Sequence, residues 1–137
     1  MRYLIDTTIL IRLRTETSLI SKDIFQIIEN PENLIYVSAV SIQEIFMLLQ
    51  TNKIVVPKWK SAKDVFEDIE NTLNFKIKYI KKEHLTTFYQ IAPVKDHGDP
   101  FDRLIIAQSL TERMPLISSD QKMKYYKRQG LTFIANA

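Results

Sequence analysis

Four acidic residues that lie far apart in the chain occupy positions from which their carboxylates can act together. Asp6 and Asp120 come at or just beyond the ends of short apolar runs, while Glu44 and Asp102 lie within helical patterns rich in apolar residues. Carboxylate oxygens are preferred ligands of Mg²⁺ and Mn²⁺, and these ions activate water and polarise phosphodiesters. If the four side chains meet, they predict metal-assisted hydrolysis of a phosphodiester.

Each of these acids also has a purely structural explanation. Asp6 and Asp120 suit the N-cap position of the helices that follow them, and Asp99 is a predicted N-cap because a proline comes next. Asp102 then falls in the first turn of the same helix, where the helix dipole favours negative charge. Glu44 is compatible with an exposed surface position. These explanations treat the acids singly and leave their convergence open.

Runs of strand length alternate with helical patterns along the whole chain, and this alternation determines where the acids lie. Strands are predicted at residues 2–5, 34–38, 75–80, 115–118 and 131–134. Helices are predicted from Thr7 and over residues 18–30, 40–50, 61–74, 82–92, 99–114 and 121–129, the last ended by Gly130. Strands joined by helices predict an α/β fold with a mostly parallel sheet covered on both faces.

In a parallel sheet of this kind, the four acids are expected to converge. Open parallel sheets bind ligands beyond the carboxyl ends of their strands, near the point where the strand order reverses. Asp6 follows the first strand and Asp120 the fourth, while Glu44 and Asp102 lie on helices next to them. We therefore expect the four carboxylates to meet at one edge, to raise one another's pKa by repulsion, and to be stabilised by a divalent cation.

Composition narrows the class of protein further. The chain of 137 residues is expected to form one domain over residues 1–137, and without cysteine it offers neither disulfides nor a thiolate metal site. The N-terminus has the features of neither a signal peptide nor a membrane span, so we expect a cytoplasmic protein without a membrane partner. A net charge of +3 permits a nucleic-acid partner, although its two lysine-rich clusters, at residues 76–82 and 122–128, are also compatible with solvated faces.

Other α/β classes with an acidic site lack the residues they need here. A receiver-type signalling domain requires an acidic pair after the first strand, and a haloacid-dehalogenase-like phosphatase requires a second Asp where this chain has Thr8. Dinucleotide binding requires a glycine-rich turn, and the chain contains only two glycines.

Four segments resemble the sequence blocks of PIN-domain ribonucleases, in particular the VapC-like toxins of bacterial toxin–antitoxin pairs. They are YLIDTTILI, VSAVSIQEI, HGDPFDRLIIAQSL and PLISSD, in the family's order and spacing. The resemblance implies a PIN-like three-layer fold with strand order 3-2-1-4-5, one or two Mg²⁺ or Mn²⁺ ions, an endoribonuclease acting on RNA, a cognate antitoxin and a homodimer. The family's acidic positions carry over onto Asp6, Glu44, Asp102 and Asp120, with Asp99 as an auxiliary.

One position departs from the family pattern. The family usually has Asn two positions after its first Asp, and this chain has Thr8, whose shorter hydroxyl offers fewer hydrogen bonds. The alternative function is therefore a weakened or inactive PIN-fold protein that binds RNA or serves as a scaffold. Ser118 supplies the hydroxyl that the family usually has two residues before its last acid, although the backbone could equally be its partner.

Three further side chains have two interpretations each. Arg103 is expected to pair with a neighbouring acid, with a phosphate as the other candidate. His97 is expected to be an exposed loop histidine, with RNA contact as the alternative. Trp59, between two lysines, is expected to pack a helix onto the domain or onto an antitoxin, with base stacking as the alternative.

Overall fold

The computed structural model describes residues 1–136 and contains a five-stranded sheet in which every pair of neighbouring strands is parallel. The strands are β1 (Arg2–Ile5), β2 (Leu34–Ser38), β3 (Lys76–Lys78), β4 (Leu116–Ser118) and β5 (Phe133–Ala135). Their spatial order is β3-β2-β1-β4-β5, so the order reverses between β1 and β4. The predicted α/β fold and strand order are confirmed.

Helices connect the strands and cover the sheet. They are α1 (Thr7–Thr15), α2 (Lys22–Glu29), α3 (Ala39–Gln50), α4 (Ala62–Glu67), α5 (Lys82–Gln90) and α6 (Pro100–Glu112). A short 3-10 turn follows α1 at Thr17–Leu19, α4 continues into a π-helical turn at Asp68–Thr72, and a 3-10 helix at Gln121–Gln129 links β4 to β5. That last segment was predicted as an ordinary helix, and β3 is shorter than the predicted strand over residues 75–80.

Alternation along the strands divides the core between the two faces of the sheet. Leu4 of β1 packs with the helix α6 side chains Ile105 and Ile106, whereas the next residue, Ile5, packs with Ile9 and other residues of the opposite face. In β4, Leu116 and Ile117 divide in the same way. A side-chain period of two therefore gives three layers, with helices on both faces of the sheet.

Short polar residues cap the N-termini of helices near the carboxyl edge of the sheet. Asp6 caps α1 by accepting a hydrogen bond from the Ile9 N–H at 3.0 Å, and Ser38 caps α3 through the Val40 N–H. Asp99 caps α6 directly before Pro100, as predicted. Gly130 ends the C-terminal 3-10 helix with φ +104°, a conformation that glycine adopts without strain. These caps place the first turns of α1, α3 and α6 at the same edge.

Trp59 packs inside the domain, as expected. Its indole N–H donates to Asp68 Oδ2 at 2.9 Å, and the residue is only 4% exposed. Arg14 holds the same carboxylate with two bonds of 2.7 Å. The π-helical turn is thus tied to α1 by a buried, fully paired acid, and Trp59 has no free face on which a base could stack.

Candidate active site

Asp6 is the most buried of the predicted site acids. It follows β1 directly, is 6% exposed, and accepts hydrogen bonds from the Ile9 N–H and from the Ser118 hydroxyl. Burial raises the pKa of Asp6 to about 6; the two hydrogen bonds oppose this shift, while the charges of Asp120 and Glu44 add to it. Asp6 therefore caps α1, as predicted, and also lies close enough to Asp120 and Glu44 to be affected by their charges.

Asp102 extends from the first turn of α6 toward the same edge of the sheet. Its side chain is 27% exposed. Burial raises the pKa of Asp102 to about 7, and the charges of Asp99, Asp6, Glu44 and Asp120 raise it in the same direction. The negative charges of four neighbouring acids disfavour the ionised form of Asp102, so its carboxyl group holds its proton more tightly.

Ser118 connects the ends of β1 and β4. Its hydroxyl donates to Asp6 Oδ2 and accepts a hydrogen bond of 3.0 Å from the Asp120 N–H. Asp120 in turn caps the C-terminal 3-10 helix by accepting from the Lys122 N–H at 2.9 Å. One buried hydroxyl thus contacts both the Asp6 carboxylate and the Asp120 backbone, so the predicted backbone contact is present beside a contact to a candidate site acid.

Glu44 lies half-buried in the second turn of α3, on the helix that contacts both α1 and α6. Its charge raises the pKa of Asp6 and that of Asp102. Glu44 is therefore close enough to act on both carboxylates through the low-dielectric interior. The expected gathering of acids at one edge of the sheet is present in the structure.

The expectation of an exposed His97 is wrong. His97 is 6% exposed, and its Nε2 lies 3.2 Å from Asp120 Oδ2 and 3.5 Å from Asp102 Oδ2. Its Nδ1 lies 2.7 Å from the hydroxyl of Tyr126, a fully buried side chain of the C-terminal 3-10 helix. His97 is thus part of the site, and sequence reasoning missed both it and Tyr126. The available signal was its place in the same segment as Asp99 and Asp102.

The tightest group of ligand atoms includes this histidine. One ligand atom from each of His97, Asp102 and Asp120 lies within 4.8 Å of the other two, and among residues 1–136 this is the group with a spacing suited to a metal ion. Asp6 and Glu44 lie outside this group and act on it through charge. The donor set and the raised carboxyl pKa values both fit a divalent cation, which would offset the repulsion.

Two other predicted auxiliary residues are not among these three ligand-bearing residues. Thr8 is exposed on the first turn of α1, and Asp99 is exposed at the N-cap of α6. Arg103 was expected to pair with an acid, and that expectation is wrong. Its guanidinium lies 4.8 Å from the centre of the Phe88 ring, and one nitrogen donates to the Ile91 carbonyl at 3.5 Å, so α5 holds Arg103 instead.

A family model described as PIN domain matches residues 3–129. Among solved structures, VapBC2 from Rickettsia felis, bound to a DNA fragment from its promoter, is similar with a TM-score of 0.67, 16% identity and coverage of 98% of each chain. FitAcB from Neisseria gonorrhoeae is similar with a TM-score of 0.67, 16% identity, and coverage of 99% of this chain and 98% of that one.

A toxin–antitoxin complex from Klebsiella pneumoniae is also similar, with a TM-score of 0.58, 17% identity and coverage of 98% of each chain. At such identities the likeness to solved structures concerns the fold. No curated protein is significantly similar to the chain in sequence.

Proposed function

Since the chain belongs to the PIN domain family, we propose that it is a Mg²⁺- or Mn²⁺-dependent endoribonuclease and the toxin of a toxin–antitoxin pair. The observation that carries this proposal is the convergence of acids at the carboxyl edge of β1 and β4. Asp6 and Asp102 both have raised pKa values, partly because each senses Glu44 and Asp120. Four acids from four parts of one chain, gathered where the strand order reverses, form a site that repels itself without a cation.

In this proposal Asp102 and Asp120 hold the cation, with Asp6 and Glu44 completing the acidic wall around it. When bound, a divalent cation polarises a phosphodiester and activates water for attack. The chain's own residues supply position and charge: Ser118 fixes the orientation of Asp6, the first turn of α6 presents Asp102, and Asp120 is held by its own helix cap. Asp99, exposed next to Asp102, is an auxiliary that adds negative charge at the rim.

The distribution of basic residues supports RNA as the substrate. The C-terminal 3-10 helix begins directly after Asp120 and exposes Lys122, Lys124, Lys127 and Arg128. Lysines at this place can contact the phosphates of a strand that enters the acidic site. The cluster around Lys78 supports the proposal less well, because Lys78 pairs with Glu112 and lies over the Tyr36 ring.

An antitoxin partner is proposed by analogy with proteins of the same fold, which were solved as VapBC or other toxin–antitoxin complexes. A homodimer and a cytoplasmic location belong to the same proposal. No helix within residues 1–136 combines the length and apolar character needed to cross a membrane.

Thr8 keeps a second function open, namely an RNA-binding or scaffold protein with weakened or lost activity. The specific observation is that Thr8 is exposed at the first turn of α1, one residue from the buried Thr7, whose hydroxyl has no hydrogen-bond partner in the described residues. An Asn side chain at position 8 has the longer reach and the two kinds of hydrogen-bonding group that Thr8 lacks.

The test is to incubate the purified full chain with total cellular RNA in Mn²⁺ or Mg²⁺ and to map new 5′ ends by sequencing. The proposal predicts a limited set of new ends that disappear with EDTA and with Asp6→Asn. Ends that persist in EDTA would contradict metal-dependent cleavage. RNA binding without new ends, in a protein that still binds Mn²⁺, would favour the binding or scaffold function.

A further inference from the structure

The chain contains two histidines, and only His97 has a ring nitrogen facing the acids of the candidate site. His84 is fully buried with both nitrogens engaged: Nδ1 accepts from the Lys81 N–H at 2.9 Å, and Nε2 lies 2.8 Å from Glu112 Oε2. His97 instead directs Nε2 toward Asp102 and Asp120. Any histidine nitrogen available to a cation at the candidate site therefore comes from His97.

The hydrogen bonds behind His97 determine which of its nitrogens is free. The Tyr126 hydroxyl lies 2.7 Å from Nδ1 of His97 and 3.2 Å from the His97 carbonyl, which can only accept. Both contacts are hydrogen bonds only when the hydroxyl donates its single proton to the carbonyl and accepts from Nδ1, and we infer this tautomer from them. With the proton on Nδ1, neutral His97 carries a lone pair at Nε2. Histidines that bind metals have this arrangement, because a hydrogen bond at the second nitrogen sets the tautomer and the ring orientation.

Without a cation, only a proton on Nε2 can bridge it to Asp120 Oδ2, 3.2 Å away, because a lone pair on Nε2 would repel the carboxylate. The three groups offer one nitrogen and two oxygens, the ligand atoms lie within 4.8 Å of one another, and the imidazole is almost entirely shielded from solvent. Because the ring is buried and packed edge-on against Tyr126 at 5.2 Å between centroids, it has little freedom to turn away. A cation placed among the three would be bound by all of them.

We propose that His97 is a direct ligand of the catalytic cation, and that its nitrogen makes the site selective for Mn²⁺ or a similar transition metal over Mg²⁺. Imidazole nitrogen is a softer ligand than carboxylate oxygen and binds transition metals better than it binds Mg²⁺. Tyr126 is the positioning residue that keeps the proton on Nδ1. This inference rests on the proposed metal site and adds a ligand and a metal preference to it.

The deciding measurement is electron spin-echo envelope modulation of Mn²⁺ bound to the full chain. We expect modulation from a directly coordinated nitrogen, which changes to the ¹⁵N pattern when histidine alone is ¹⁵N-labelled. His84 is present in the same molecule, away from the proposed cation, so His97→Gln should remove the modulation while His84 remains. Bound Mn²⁺ without nitrogen modulation in the wild type, or modulation that survives His97→Gln, would overturn the inference.

Metal affinities provide a second readout that a merely structural histidine would not produce. His97→Gln should weaken Mn²⁺ binding by at least ~10-fold while changing Mg²⁺ binding far less, and Tyr126→Phe should weaken Mn²⁺ binding in the same direction. Equal losses for both metals, together with a lower melting temperature in EDTA, would assign His97 to structure and overturn the inference.

The outcomes separate this inference from the proposed function. Histidine-coordinated Mn²⁺ in a protein that generates no new RNA ends would uphold the ligand and contradict the nuclease. Metal-dependent RNA cleavage by a protein whose Mn²⁺ shows no nitrogen modulation would uphold the nuclease and contradict the ligand.

Discussion

The hydroxyl of Ser118 donates a hydrogen bond to the carboxylate of Asp6, across a sequence separation of 112 residues. The same oxygen accepts from the Asp120 N–H, so a single side chain at the end of β4 links the acid after β1 to the acid after β4. This link lies where the strand order reverses, and it couples the geometry of the candidate site to the pairing of the two central strands.

Ser118→Ala is expected to destabilise the metal-free protein by about 1.5–3 kcal/mol at pH 8, the range for a lost hydrogen bond to a charged group. The loss should be smaller at pH 5, because this bond lowers the pKa of Asp6 and therefore favours its charged form. Urea unfolding at the two pH values measures both effects.

Ser41→Ala is the matched control, because the Ser41 hydroxyl is buried in α3 and has no hydrogen-bond partner within residues 1–136. Its removal should leave the free energy of unfolding nearly unchanged or slightly higher. Equal losses for the two variants would show that the link to Asp6 contributes nothing specific.

The repulsion among the acids predicts an unusual pH dependence of stability without metal. The pKa of Asp6 is raised to about 6 and that of Asp102 to about 7, whereas unfolded Asp titrates near ~3.9. A raised folded-state pKa contributes stability that is fully present below the unfolded value and is lost as pH rises through the folded value. In EDTA the melting temperature should therefore rise as pH falls from 8 toward 5, and Asp102→Asn should raise it at pH 8.

Asp23→Asn supplies the control for charge, since Asp23 is also in the first turn of a helix but is exposed on α2. It should leave this pH dependence unchanged. Mn²⁺ should reverse the trend, because metal binding requires deprotonated carboxylates and so stabilises more as pH rises. A melting temperature in EDTA that falls steadily between pH 8 and pH 5 would contradict the proposed repulsion.

The ion pair between Arg14 and Asp68, which also accepts from Trp59, predicts a substitution that lowers stability without affecting the candidate site. Arg14→Ala leaves the carboxylate of Asp68, 5% exposed, without its cationic partner and should cost about 3–5 kcal/mol of unfolding free energy. Adding Asp68→Asn should restore part of that loss, because the buried charge is then removed. Urea unfolding measures the cycle, and Mn²⁺ affinity below the transition should be unchanged in both variants.

The C-terminal 3-10 helix predicts how RNA enters the site. Lys124→Gln should lower kcat/KM for RNA cleavage and reduce the slope of log(kcat/KM) against log salt concentration by about 1, as expected for one lost phosphate contact. Lys53→Gln changes the same charge at an exposed loop that lies outside this helix and should leave the slope unaltered. Indistinguishable slopes for the two variants would remove this helix from the RNA path.

The sheet and most of the acids were predictable because their signals are local. An apolar run followed by an acid, or an acid followed by proline, is visible in a few consecutive residues, and parallel strands bring such positions to one edge. The observed bounds of β3 and β5 differ from the predicted residues 75–80 and 131–134, because short strands end where pairing ends and pairing depends on partners elsewhere in the chain.

His97 and Arg103 were misjudged for the opposite reason. The burial of His97 depends on Tyr126, which is 29 residues away in the sequence. The placement of Arg103 depends on Phe88 of α5 and on Ile91, which directly follows α5. Neither contact leaves a pattern near the residue itself, so these positions could be assigned only once the helices had been placed on the sheet.

The most direct test of the central claim is the cleavage rate of an RNA that carries a mapped site, measured at saturating Mn²⁺ for wild type, Asp102→Asn and Asp23→Asn. We predict that Asp102→Asn slows cleavage by at least ~100-fold, since it removes charge at the reacting centre, while Asp23→Asn cleaves at the wild-type rate. Cleavage by Asp102→Asn at the wild-type rate would contradict the assignment of the converging acids as the active site.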